Sequence, residues 1–196
     1  MLDAMARRAV AGVFVGGASR RMGGSPKGLL RLPSGETLVD RWLAMFAACG
    51  VDAVLVGVHP EYAPRTMIPD AVLGVGPLGG LVALLRHCGS AWAVAVGCDM
   101  PCVSLELVRR LLDAPDAVAV APRREGRWEP MLARYDAERA LVTAAARLAR
   151  GEHGMQGLLD ELGASPLALT DVERAQLDDW DSPEDVAPQP PKSCVQ

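Results

Sequence analysis

The sequence has no excess of positive charge: 24 acidic against 20 basic residues give a net charge of −4. A general nucleic-acid or anionic-membrane binder needs a broad positive field, so cations that matter here must be focused locally. No window reaches the roughly 18 continuous apolar residues of a membrane helix, and the final Cys194-Val195-Gln196 is one residue short of a prenylation box. Arg7 and Arg8 precede an apolar run, but cleavage after it would part a core strand from the loop that follows, so no targeting segment is expected. Cysteine offers no framework either. Cys49, Cys88, Cys98, Cys102 and Cys194 are odd in number, and Cys98 and Cys102 lack zinc-type spacing; small packing residues in a reducing cytoplasm are the expectation. There is no internal repeat. At 196 residues, half of them hydrophobic, the chain suits one α/β domain over residues 1–187, with a disordered Pro-rich tail over residues 188–196.

The stretch Gly16-Gly17-Ala18-Ser19-Arg20-Arg21-Met22-Gly23-Gly24-Ser25-Pro26-Lys27 organises the chain. It follows an apolar β-like run over residues 9–15, so a strand delivers a glycine-rich, cationic loop at its C-terminal end, the edge where open α/β sheets bind ligands. Glycines without Cβ atoms let backbone N–H groups close around an anion, while Arg21 and Lys27 add full charges. The expected guest is a phosphate chain. A Walker A loop is excluded, because Pro26 precedes Lys27 and Gly28 follows it.

Further along, Thr37 starts a helix that Gly50 stops, residues 53–58 form a second strand, and residues 67–70 an extended piece ending in Asp70. Gly74-Val75-Gly76-Pro77-Leu78-Gly79-Gly80 opens a helix over residues 81–87. Residues 91–97 read as a buried parallel strand ending in Cys98-Asp99-Met100-Pro101. Ser104 caps the next helix, residues 117–121 are a strand, 123–129 a charged loop, and 131–135 another strand. Asp136 caps a long helix ending near Arg150, residues 155–162 are helical, 167–169 form a last strand, and Ser182-Pro183-Glu184-Asp185 begins a terminal helix. This alternation predicts a single-domain, Rossmann-like, doubly wound, mostly parallel sheet. At the tip of a buried strand, Asp99 suits a hard divalent cation such as Mg²⁺ bridging a triphosphate.

These motifs resemble those of the molybdenum cofactor guanylyltransferase family, whose fold is that of the nucleotide-diphospho-sugar transferases. The likeness spans roughly residues 10–186. It rests on the opening Gly-Gly-x-x-x-Arg-Met-Gly-x-x-x-Lys pattern, on Cys98-Asp99-Met100-Pro101, on Gly76-Pro77-Leu78-Gly79-Gly80, on residues 126–133 with Pro130, and on Asp179-Trp180-Asp181-Ser182-Pro183-Glu184-Asp185. The resemblance implies that Phe14, Val15, Gly16, Gly17, Lys27, Gly57, Asp70 and Asp99 bind the nucleotide. It implies catalytic roles for Arg21, Lys27 and Asp99, and Mg²⁺ on Asp99, with Asp181 a second metal ligand or a helix cap. Asp70 lies where the family reads guanine; a carboxylate accepts two N–H bonds from that base. Gly57 replaces an asparagine of the family, Asp179 and Asp181 replace two more, and Gly151-Glu152-His153-Gly154 lacks a pair of arginines.

The implied reaction is in-line attack by an anionic acceptor, the terminal phosphate of molybdopterin, on the α-phosphorus of GTP, expelling pyrophosphate. An ionised nucleophile needs no general base, so His59, His87 and His153 need no catalytic role. Implied partners are GTP, the molybdopterin-type acceptor, and molybdoenzymes or cofactor-delivery proteins, with no nucleic acid and no membrane. A cytidylyl or sugar-phosphate nucleotidyltransferase stays open. So does a dinucleotide-binding oxidoreductase, since Gly74 to Gly79 satisfies GxGxxG with Asp99 twenty residues on, and so does a non-catalytic nucleotide-binding protein.

Overall fold

The computed structural model describes residues 7–16 and 26–180. Its strands are β1 (Ala9–Phe14), β2 (Asp52–Val56), β3 (Met67–Ile68), β4 (Trp92–Gly97), β5 (Ala119–Arg124), β6 (Arg127–Trp128), β7 (Leu132–Asp136) and β8 (Ser165–Leu167). The helices are α1 (Leu38–Ala48), α2 (Pro77–Cys88), α3 (Leu105–Leu112), α4 (Ala137–Ala149), α5 (Met155–Glu161) and α6 (Asp171–Ala175).

The strand order is β3-β2-β1-β4-β7-β5-β6, with β8 along β5. β1 lies parallel to both β2 and β4, and its Val13 pairs with Leu55 and Val96. β7 is antiparallel to β4 and to β5, which leaves β5, and β8 beside it, pointing the same way as β4. The mostly parallel sheet of the sequence reading is therefore present, with β7 inserted against the grain.

Alternation along β1 sends Val10 into one core and Ala11 and Val13 into the other. Leu81, Leu84 and Leu85 of α2, Ala140 and Ala144 of α4 and Leu158 of α5 cover the first face. Val39, Trp42 and Phe46 of α1 with Leu107 and Leu111 of α3 cover the second. Helices on both faces make the sheet doubly wound, and removing any one of these buried leucine side chains costs about 2–5 kcal/mol.

Several boundaries move. The helix expected over residues 81–87 already starts at Pro77, whose fixed φ suits a first helical position. The charged loop expected over residues 123–129 is a hairpin: β5 runs on to Arg124, and Glu125 (φ 52°) and Gly126 (φ 79°) make a two-residue turn into β6. The last strand sits two residues early, with Pro166 paired against Ala121 on the outer flank of β5, where a missing N–H is tolerated. α6, which had no counterpart in the sequence reading, is fixed by a capping box between Thr170 and Glu173. The expected terminal helix and the Pro-rich tail lie outside the described residues. Cys49, Cys88 and Cys98 are free thiols, with Cys98 buried as expected, whereas Cys102 is disulfide-bonded, which corrects the expectation that it is a packing residue alone. Among the described residues, no helix is long and apolar enough to cross a membrane.

Candidate active site at the C-terminal edge of the sheet

The ends of β1, β2 and β4 are tied together where they stop. Val15 N–H donates to Val56 O (3.0 Å), Gly57 N–H to Ile68 O (2.9 Å) and Cys98 N–H to Phe14 O (3.2 Å). Above this edge opens a cavity of about 580 Å³. Its wall carries Phe14, Val15, Gly16, Lys27, Asp70 and Asp99 of the sequence-derived set. Gly57, also of that set, is not part of the wall but sits against Gly16, which is. Gly17, Arg21 and Asp181 lie outside the described residues.

Lys27 begins a 3-10 helix over Lys27–Leu29. That turn packs hard against α1: a β-carbon on Gly28 would meet Val39 Cγ2 at 2.5 Å and the Tyr62 hydroxyl at 2.8 Å, so only glycine lets Lys27 sit there. From this seat the Lys27 Nζ reaches within 3.6 Å of Asp99 Oδ2, and both side chains stay partly open to the cavity. Asp99 itself lies two residues past the end of β4, and its carbonyl accepts the Trp180 N–H at 2.8 Å. The turn beyond it is pinned from α1, where the Arg41 guanidinium donates to Pro101 O (3.0 Å) and Val103 O (2.7 Å).

Asp70 stands on the opposite flank. Ala71 N–H donates to Gly79 O (3.0 Å), laying the segment after β3 across the start of α2. A β-carbon on Gly80 would lie 2.7 Å from Val56 Cγ1, 2.9 Å from Phe14 Cε1 and 3.1 Å from Asp70 Oδ1, so glycine is what admits the helix here. Burial pushes the Asp70 carboxyl above its ordinary range. A carboxylate in that state gains most from N–H donors brought by a ligand.

The site also uses residues that sequence reasoning left out of it. Gly74, Gly76 and Pro77 line the cavity, which sets the N-terminal end of α2, the positive end of its dipole, against the space. Met131 closes another side. The glycine run before α2 was the available signal. The same geometry disfavours a dinucleotide fingerprint: Gly74 to Gly79 does not follow directly on a core strand but comes after the two-residue edge strand β3 and an intervening loop.

Near Met131, Arg124 bonds Glu129 and Asp178, both at 3.0 Å, and lies 3.9 Å from Asp179. Burial raises the Glu129 carboxyl while Arg124 opposes the shift. Asp179 thus meets an arginine. His59 Nδ1 accepts the Glu61 N–H at the head of a short 3-10 helix, and His87 occupies the last turn of α2. Among the described residues, no three His, Cys, Asp or Glu side chains group to hold a metal ion.

The chain is similar to known proteins in both sequence and fold. Residues 11–166 match the family model described as a MobA-like NTP transferase domain. The chain is 32% identical over 180 residues to the molybdenum cofactor guanylyltransferase of Pseudomonas putida, covering 88% of this chain and 92% of that one. It is 33% identical over 175 residues to the protein of the same name from Xanthomonas euvesicatoria, covering 88% and 89%. In fold it is similar to molybdopterin-guanine dinucleotide biosynthesis protein A from Archaeoglobus fulgidus, with a TM-score of 0.72 at 24% identity over 90% of this chain and 94% of that one. A 2-C-methyl-D-erythritol 4-phosphate cytidylyltransferase from Francisella tularensis shares the fold at a TM-score of 0.67 and 13% identity, covering 91% and 96%. With four-fifths of its length matched by the family model and relatives above 30% identity across most of the chain, this protein belongs to the MobA-like NTP transferase family.

Proposed function

We propose that this protein transfers GMP from GTP to the terminal phosphate of molybdopterin and releases pyrophosphate. The observation that carries the proposal is the pairing, in one cavity, of Lys27 and Asp99 at 3.6 Å with a desolvated Asp70 on the far flank. Asp70 accepts the N1 and N2 hydrogens of guanine, which fixes the nucleoside. Lys27 neutralises the triphosphate, and Gly16 offers backbone to it at the end of β1; Arg21, by family resemblance, adds a second cation. An oxygen of the acceptor phosphate attacks the α-phosphorus, the bond to the bridging oxygen breaks, and pyrophosphate leaves with that electron pair.

Asp99 suits Mg²⁺, being a hard oxygen donor on a fixed strand end, open to the cavity beside a phosphate-binding cation. Mg²⁺ bound there would neutralise charge building on the phosphate oxygens. Delivery of the product to molybdoenzymes or cofactor-delivery proteins, and a cytoplasmic setting, belong to the same proposal and rest on the family resemblance alone.

The test is thermal shift with GTP, CTP, ATP and UTP in Mg²⁺, followed by pyrophosphate release on adding molybdopterin. GTP should protect best and support turnover. One observation favours a second reading: Gly57 offers no side chain to the base, so equal or better protection by CTP would move the protein to cytidylyl transfer.

A further inference from the structure

Nine glycines among the described residues have positive φ, and eight of them face open space, with nothing within 4 Å of where a β-carbon would stand. Gly57 is the exception. At φ +107°, a β-carbon there would lie 3.0 Å from the Gly16 nitrogen, 3.2 Å from Gly16 Cα and 3.6 Å from Val15 Cγ2. The nearest two obstacles are backbone atoms, which cannot rotate aside as a side-chain tip can. Nor is either partner free to drift: Gly57 N–H is held by Ile68 O, and Val15, next to Gly16, by Val56 O. Gly16 lines the cavity at the point where β1 passes into the glycine-rich segment. Glycine at position 57 thus answers to a close approach as well as to a backbone angle.

We infer that Gly57 is a positioning residue for the nucleotide site. By lacking a side chain it lets the end of β2 rest against the Gly16 backbone, and that contact sets where Gly16 presents itself to the ligand. The inference rests on reading the cavity as a nucleotide site. It also gives the missing side chain a positive role: Gly57 acts on the cavity through Gly16, which lines it, and base recognition falls to Asp70 across the cavity.

The test compares Gly57→Ala and Gly57→Asn with Gly35→Ala. Gly35 has φ +91° and nothing within 4 Å, so alanine there imposes similar backbone strain without a collision. Calorimetric titration with GTP and Mg²⁺ should show affinity lowered at least about tenfold by either change at Gly57 and altered less than about twofold by Gly35→Ala. Hydrogen exchange on the ligand-free protein should show the Val15 amide losing protection in both Gly57 variants while Val13 and the rest of β1 keep theirs. Asparagine tolerates positive φ better than alanine, so Gly57→Asn carries the test if Gly57→Ala does not fold. Wild-type affinity in a folded Gly57 variant, or tighter binding by Gly57→Asn, would overturn the inference. So would failure of both variants to fold beside a folded Gly35→Ala, since the residue would then serve the core and not the site. Absence of GTP binding by the wild-type protein would defeat the nucleotide reading instead, and the exchange result would still decide the contact.

Discussion

Lys27 Nζ and Asp99 Oδ2 stand 3.6 Å apart across the mouth of the cavity, a cation from the turn after the glycine-rich segment facing a carboxylate from the tip of β4. Both side chains are more than two-thirds covered, yet each keeps a face to the space. At 3.6 Å the contact is loose, and the pair contributes little to stability, about 0–1 kcal/mol. Its weight lies in what enters between and above the two charges.

Lys27→Ala should therefore leave thermal unfolding within about 1 kcal/mol of wild type. Affinity for GTP with Mg²⁺ should fall roughly tenfold to a hundredfold, the range of one charge-assisted contact to a phosphate. Calorimetric titration checks this, and unchanged affinity in a folded variant would remove Lys27 from the site.

Asp70 predicts a pH dependence with a definite sign. Its carboxyl is raised by burial in the folded chain, so the folded state holds the proton more tightly than the unfolded one. That contribution to stability is present below the ordinary carboxylate range and is lost as pH rises through the raised value. Guanine needs the ionised form, so GTP affinity should weaken as pH falls through the same window. Asp70→Asn should hold or raise ligand-free stability near neutral pH, flatten that dependence, and narrow the preference for GTP over ATP. Melting curves and GTP titrations across the acid range give both readings.

Gly80→Ala adds a β-carbon into Val56, Phe14 and the Asp70 carboxylate at once. Overpacking of this kind costs about 1–3 kcal/mol and should lower the melting temperature. It should also reduce GTP affinity further than Gly79→Ala reduces it, because at Gly79 the collision is with Val72 O, away from the carboxylate.

The features that made this site readable in the sequence are local. Val13, Phe14 and Val15 before a glycine run, and an apolar strand stopped by Asp99 and Pro101, each announce a strand end by composition. What failed was non-local or masked by charge. β7 runs antiparallel between β4 and β5, and no pattern within its five residues encodes a direction. Arg123, Arg124 and Arg127 hide β-structure behind polar side chains, although Glu125-Gly126 was a usable turn signal. Thr170 and Glu173 form a capping box whose helix is only five residues long, too short to show a hydrophobic period. The contacts of Gly80 with Asp70 and of Gly57 with Gly16 join residues ten and forty-one positions apart, and spacing alone could show neither.

Asp99→Asn tests the chemistry most directly. The substitution keeps the shape of the side chain and removes its charge, and Asp99 keeps its main-chain anchor, since the Trp180 N–H donates to its carbonyl and not to its carboxylate. Loss of the ion pair with Lys27 should cost at most about 1 kcal/mol in the free protein, given the loose 3.6 Å contact. If Asp99 holds Mg²⁺ against the triphosphate, pyrophosphate release should fall by roughly two to four decades, the scale of several kcal/mol of transition-state charge stabilisation. The loss should be partly recovered at high Mg²⁺, because a weakened site is refilled by mass action. Asp179→Asn is the matched control, for that carboxylate lies 3.9 Å from Arg124 and is already answered by a cation. Near-normal turnover by Asp99→Asn at ordinary Mg²⁺, with a large loss in Asp179→Asn, would reverse the assignment and move the metal to Asp179.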